Sequence, residues 1–205
     1  MPTPLGHSLA GLAVWAVTRK PSTLKEALSR ENAGWAALCV LAANLPDADF
    51  IILGSEGLQI SAKYHHGVTH SIGFALAMGG LAGAWAWMRR ATAGKQAISL
   101  TPTSTNAFVV TFLCVLSHVL MDLLGTDSYP QNGIGLPLLW PMSGEYYIVP
   151  LFSGIDRSNP FTLETLFVLA RELLLFGGIL LSSLMSTRAK PAPESPTPAE
   201  APVTE

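Results

Sequence analysis

Charge is scarce in this sequence. Only 13% of its 205 residues are Asp, Glu, Lys or Arg, against about 25% in an ordinary soluble domain. With 12 Lys and Arg against 14 Asp and Glu, the net charge is only −2, which gives no basic footprint for a nucleic acid. Cysteine is scarcer still. Cys39 and Cys114 both lie in apolar stretches and read as small buried hydrophobes, not as a disulfide framework. There is no His-Glu-x-x-His, no Gly-x-Ser-x-Gly and no Cys-x-x-Cys, so zincin, nucleophile-elbow and thioredoxin-like chemistries lack their motifs. What is abundant is apolar: 49% of the chain. Together these features disfavour a secreted disulfide module, a disordered chain and a soluble enzyme, and leave a small membrane protein.

Five apolar segments run over residues 4–18, 33–53, 71–88, 107–125 and 163–185. About 20 residues of helix cross the hydrocarbon layer; the fifth segment meets that length, the third and fourth come close, and the first two are weaker. The second is interrupted by Asn44-Leu45-Pro46-Asp47-Ala48-Asp49. The reading is all-α: a polytopic membrane bundle of about five helices over residues 1–188. Buried helices of a soluble core are the plain alternative, but five in one short chain leave little polar surface to cover a globule. Residues 189–205, rich in Pro, Ala and Glu, read as a disordered cytosolic tail. The start of the first segment lacks the positive residues of a signal peptide.

Lys and Arg set the orientation. Nine of the 12 cations fall in the links after segments 1 and 3 and in the tail, which places the N-terminus outside and the C-terminus in the cytoplasm. On the outer side remain only Lys63 and Arg157, and Arg171 lies within segment 5. The same topology gathers all five histidines and three of the five aspartates at the outer face: His7; Asp47 and Asp49; His65, His66 and His70; His118 and Asp122. Each has an ordinary reading. His7 can be a polar helix cap, Leu45–Asp49 a turn, and His118 with Asp122 at i and i+4 a hydrogen-bonded pair. Ionisable groups at membrane depth are nevertheless costly and are functional candidates by default. Imidazoles with carboxylates form the donor set that suits Zn²⁺, Mn²⁺ or Fe²⁺. In a helix His66 and His70 would share a face; a loop at Gly67 with Thr69 as cap is equally compatible with the pattern.

Gly6-His7, Leu45-Pro46-Asp47-x-Asp49, His65-x-Gly67-x-Thr69-His70-Ser71, Ser117-His118-x3-Asp122 and Gly135-x-Pro137-Leu138-Leu139-Trp140-Pro141 together resemble the LexA-binding, inner-membrane-associated hydrolases, also described as membrane-bound metal-dependent hydrolases. The resemblance covers most of residues 5–141. It departs at His66, where the family usually has Arg. The family is in turn distantly similar to the all-helical zinc phospholipase C and P1-nuclease group. The resemblance implies an inner-membrane hydrolase of an ester or phosphoester, small or lipid-linked, with membrane lipid as its surroundings; a LexA-type regulator is implied by the family name alone.

Six candidate ligands (His7, Asp47, His65, His70, His118 and Asp122) exceed the three of one catalytic zinc and suit two divalent ions clamping a displacement. Asp49 is expected as general base, His66 joins it among the catalytic candidates, and Thr69 and Ser71 would orient the ligands from behind. Trp140, Tyr146 and Tyr147 in the long outer link read as an interfacial belt or as an apolar lid. Gly79-x3-Gly83 reads as a helix-packing surface, and Arg171 as paired with a carboxylate. The competing functional class is a metal-binding or metal-transport protein without hydrolytic activity. In a reporter-fusion map, residues 125–162 are expected outside the cytoplasm; a cytoplasmic signal there overturns the orientation.

Overall fold

The computed structural model describes residues 3–21, 23–49, 65–92, 102–125, 135–155 and 161–188. The tail 189–205, Lys63, Tyr64, Lys95, Asn132-Gly133-Ile134 and Arg157 lie outside them. The described elements are helical: α1 Pro4–Arg19, α2 Leu24–Ala27, α3 Arg30–Ala43, α4 Ile72–Thr92, α5 Ser104–Leu123 and α6 Leu163–Arg188, with a 3₁₀ turn at Val68–His70. The five longer helices fall on the five apolar segments. Among them, only the apolar stretches Ser104–Leu123 and Leu163–Ser186 are long and apolar enough to cross a membrane. The others fall short for visible reasons. With 16 residues, α1 extends about 24 Å, and α3 with 14 residues about 21 Å, while α4 ends on Arg89 and Arg90.

Local sequence sets the helix ends. Pro4 occupies the first turn of α1, where its missing N–H costs nothing, and the Thr3 hydroxyl accepts from Gly6 N at 3.3 Å. Ser29 and Thr103 cap α3 and α5 in the same way, through the amides of Asn32 and Asn106. At its far end α3 stops at Asn44, whose side-chain amide folds back onto Val40 O at 2.8 Å, just before Pro46. In its described residues the second apolar segment is therefore a short helix, turns over 44–47, and helical residues again at Ala48 and Asp49.

α1 packs against α3, α5 and α6, α3 packs against α5, and α4 against α5. The principal apolar core lies where α1, α3 and α5 meet, built from Trp15, Ala16, Cys39, Ala43, Val110 and Cys114. Both cysteines are reduced and buried. Small residues let the backbones approach. Gly79 and Gly83 lie against the Phe108 and Ser104 carbonyls of α5, the packing surface expected from their spacing. At Gly11, an added Cβ would lie 2.6 Å from Cys39 O and 2.9 Å from the Ala43 Cβ, both on α3.

The segment 135–152 closes the end of the bundle at which α4 starts and α5 finishes. Its Leu138 and Trp140 carbonyls accept from the amides of Ile72 at 3.0 Å and Gly73 at 3.2 Å. Amides of Val149 and Leu151 donate to the Leu123 and Leu124 carbonyls at 2.8 and 2.9 Å. The otherwise unpaired groups of both helix ends are thus satisfied by one loop. Leu136 and Tyr147 pair across it as an antiparallel bridge, and Gly135, at φ 91°, passes directly under the Tyr147 carbonyl, where no side chain fits.

Replacing Gly11 by Val is expected to destabilise the protein by about 1–3 kcal/mol, because α1 and α3 must separate. Gly34→Ala, where the added methyl meets open space, is expected to be neutral or stabilising by up to about 1 kcal/mol. Thermal unfolding in detergent checks both; equal melting temperatures for the two variants would contradict the close approach.

Candidate metal centre

Every His and Asp singled out from the sequence lies at one end of the bundle, carried there by four separate stretches. His7 comes from the first turn of α1, Asp47 and Asp49 from the turns after α3, His65, His66 and His70 from the segment leading into α4, and His118 and Asp122 from the last turns of α5. His7, His70 and His118 are fully buried, and Asp122 nearly so. Asp47, with 22% of its side chain exposed, forms the more open edge.

Asp47, His70, His118 and Asp122 bring one ligand atom each within 4.8 Å of one another. His118 Nε2 lies 3.0 Å from Asp122 Oδ2, 3.4 Å from Asp47 Oδ1 and 3.2 Å from His70 Nε2. His70 Nε2 lies 3.4 Å from Asp122 Oδ2 and 3.5 Å from Asp47 Oδ1. These are five of the six edges of a tetrahedron. Metal–ligand bonds of about 2.0–2.1 Å, as zinc makes, require edges of about 3.3 Å. A second group, His65, His66 and His70, shares His70 with the first. Its members also face the carboxylates: His65 Nε2 is 3.6 Å from Asp47 Oδ1, and His66 Nε2 is 3.8 Å from Asp122 Oδ2. His7 stacks on His118 with ring centroids 3.7 Å apart and turns Nε2 toward Asp122 Oδ1 at 3.5 Å.

The donors fit a cation. A carbonyl only accepts, so His118 Nδ1 must donate its proton to Ala43 O, at 2.7 Å, and when the ring is neutral its lone pair is at Nε2, facing the cluster. Both oxygens of Asp122, Asp47 Oδ1 and both nitrogens of His7 are buried without a satisfactory hydrogen bond among the described residues. Such an orphaned set of polar atoms, carboxylate oxygens above all, is expensive unless a positive centre sits among them.

Around this inner set runs a hydrogen-bonded frame. Asp49 Oδ1 lies 2.8 Å from His65 Nδ1, and Asp49 Oδ2 accepts from the Thr69 hydroxyl at 2.8 Å. That hydroxyl is 3.0 Å from His70 Nδ1. Ser71 acts on the helix instead of the ligands. Its hydroxyl accepts from Phe74 N at 3.0 Å and donates to Val68 O at 2.7 Å, capping α4 where Thr69 was one candidate. Residues 65–71 form a turn and a 3₁₀ turn, not a helix, so the i, i+4 spacing of His66 and His70 does not place them. His66 adopts a left-handed backbone, φ 65°, a strain of about 1–2 kcal/mol for a non-glycine residue. Burial pushes the His66 imidazole well below its ordinary pKa, and the nearby Asp122 does not offset it, so this ring is neutral at pH 7. His70 is also depressed by burial, but the Asp122 and Asp47 carboxylates, 3.4 and 3.5 Å from its Nε2, favour the charged ring and raise it; a cation among them would take that proton's place.

Two contributors have no signature in the sequence motifs. Ala43 acts through its carbonyl alone. Buried Glu172 of α6 accepts from Thr3 N at 2.9 Å and from the Thr3 hydroxyl, anchoring the start of α1 one turn before His7. Arg171, expected to pair with a carboxylate, reaches instead the Ser153 carbonyl at 2.6 Å and lies over the Phe152 ring. Trp140 joins the site only through its backbone contact with Gly73.

A family model described as YdjM inner membrane protein matches residues 1–190. No curated protein and no solved structure matches the chain.

Zinc at about 100 times its dissociation constant is expected to stabilise the purified protein by about 2.7 kcal/mol, read as a rise in melting temperature over an EDTA-treated sample. His118→Ala is expected to remove most of that rise. An equal rise in both proteins would mean that the ion binds elsewhere.

Proposed function

The chain belongs to the YdjM inner membrane protein family, and from that premise we propose that it is a multi-pass membrane hydrolase cleaving an ester or phosphoester at a divalent-metal centre on the outer membrane face. One observation carries the reading: the near-tetrahedral convergence of Asp47, His70, His118 and Asp122, with His65 and His66 beside it. Paired groups sharing His70 suit two ions, with zinc favoured by the imidazole-rich donors and His7 as a further ligand on the Asp122 side of the site.

A divalent ion held there would supply Lewis acidity toward a water and toward the scissile group. The chain's own residues do the rest. Asp122 and Asp47 concentrate negative charge opposite the imidazoles and fix where a cation sits. His118 is locked by the Ala43 carbonyl, so its Nε2 cannot turn away. His66 is neutral, the protonation state a proton acceptor needs, and lies at the margin of the inner set. The exposed edge at Asp47 is the side from which water and substrate approach.

A lipid-borne substrate finds support in the groove between α3, α4 and α5. It measures ≈ 510 Å³, is lined by Trp35, Leu38, Leu41 and Trp85, and reaches Leu45 and Cys114. Leu45 is two residues from Asp47, and Cys114 one turn from His118. An acyl chain lying there would leave its ester end at the cluster. The five apolar helices, with the charge sorting of their links, support N-terminus out and C-terminus in.

Metal analysis of the purified protein, combined with a panel of phosphomonoester, phosphodiester and acyl-ester substrates, tests this. Stoichiometric transition metal and turnover, both abolished by Asp122→Asn, are expected. Metal without turnover, together with metal flux into proteoliposomes that Asp122→Asn abolishes, would favour the transport class instead.

A further inference from the structure

We infer that Asp49 is a positioning residue whose two carboxylate oxygens set the tautomers of two histidines at once, His65 directly and His70 through Thr69. The inference rests on the metal reading above for its purpose, but not for its geometry.

Donors and acceptors must balance along this chain of groups. An ionised carboxylate can only accept. His65 Nδ1, at 2.8 Å from Asp49 Oδ1, must therefore carry the proton it shares. The Thr69 hydroxyl has one proton and donates it to Asp49 Oδ2 at 2.8 Å. It has none left for His70, so its oxygen accepts, and His70 Nδ1, at 3.0 Å, must be the donor. Each ring, when neutral, consequently keeps its proton on Nδ1 and presents a lone pair at Nε2. Those Nε2 atoms are the ones that face Asp47 Oδ1, at 3.6 Å from His65 and 3.5 Å from His70. His118 reaches the same state by a separate route, through Ala43 O. Three imidazoles are thus presented to the cluster through the same ring atom, two of them under one carboxylate. With both oxygens occupied, Asp49 serves the site from behind and not as the general base its motif suggests. Hydrogen-bond partners of this kind fix ligand orientation and basicity, and losing one typically costs about 10–100-fold in metal affinity.

Asparagine separates this role from simple packing. It has the same shape but one acceptor and one donor in place of two acceptors. If its oxygen keeps His65, its amide faces Thr69; the Thr69 hydroxyl proton then turns to His70 Nδ1 and drives that ring's proton to Nε2. If its oxygen keeps Thr69, its amide donates to His65 Nδ1 and the change falls on His65. Either way one Nε2 lone pair is lost.

The test is nitrogen NMR of ¹⁵N-imidazole-labelled, full-length protein in detergent, metal-free and at a pH that holds the rings neutral, with zinc affinity measured in parallel by chelator competition. In the native protein His65 and His70 should both be protonated at Nδ1. Asp49→Asn should move one of them to Nε2 and weaken zinc binding about 10–100-fold. Thr69→Val should release His70 alone, and Thr69→Ser should keep the native pattern of both rings. An Nε2 proton on either ring of the native protein, or an unchanged pair of tautomers in Asp49→Asn, overturns the inference. A native protein that binds no zinc would overturn the metal reading instead, while the tautomers would still decide the role of Asp49.

Discussion

A carboxylate removed from water has to be surrounded by donors or by positive charge, and Asp122 is the carboxylate around which this structure is arranged. It is 3% exposed, at the end of an apolar helix, and three imidazoles turn a ring nitrogen toward Oδ2 while a fourth faces Oδ1. No single helix could provide this environment. His118 comes from its own helix, His7 from α1, and His66 and His70 from the turn before α4, so surrounding one side chain with imidazoles requires separate stretches of chain to meet. The apolar packing of α1, α3 and α5 below the cluster supplies the rigidity, and the loop 135–152 closes the helix ends beside it.

The closeness of Ala43 to His118 shows how packing and site are joined. The small residues that let α1 and α3 approach, Gly11 and Ala43 among them, also bring the last carbonyls of α3 over α5. The hydrogen bond to His118 Nδ1 is made by a backbone atom whose position depends on where the helix stops. Asn44 and Pro46 stop it, and the turns that follow deliver Asp47 to the inner set and Asp49 to the frame behind it. In this segment a helix terminus supplies what a side chain supplies elsewhere.

Much of this was legible in the sequence, and the exceptions have physical reasons. His118 and Asp122 at i and i+4 in an apolar run could be read as one face of one helix, and they are. That His7 belongs with them followed from the sorting of Lys and Arg among the links and from the Gly6-His7 element of the family resemblance, since its own neighbourhood does not distinguish a ligand from a cap. The break at Asn44 and Pro46 was open to reading, and α3 stops there; the caps Ser29 and Thr103 lie outside the segments that apolarity marks. By contrast, Asp47 and Asp49 are two residues apart in turns, where no periodicity says which one faces inward. The Ala43 carbonyl is invisible because every residue has one. Arg171 was expected to find a carboxylate, yet it reaches Ser153, while Glu172, which the helix turns away from it, takes the Thr3 amide. Apolarity alone marks five segments, whereas among the described helices only α5 and α6 also have the length and hydropathy of a crossing; α1 and α3 are apolar but short.

The bond between Glu172 and Thr3 joins the first turn of the first helix to the middle of the last. A chain is made from its N-terminus, so α1, with His7 one turn in, emerges long before the residue that anchors its start. Until α6 arrives, the Thr3 amide and hydroxyl lack that acceptor, and the histidine beside them sits on an untethered helix end. Completion of the polar cluster is thereby delayed until α6 has been made, and until then the imidazoles and carboxylates of the earlier helices are loose groups.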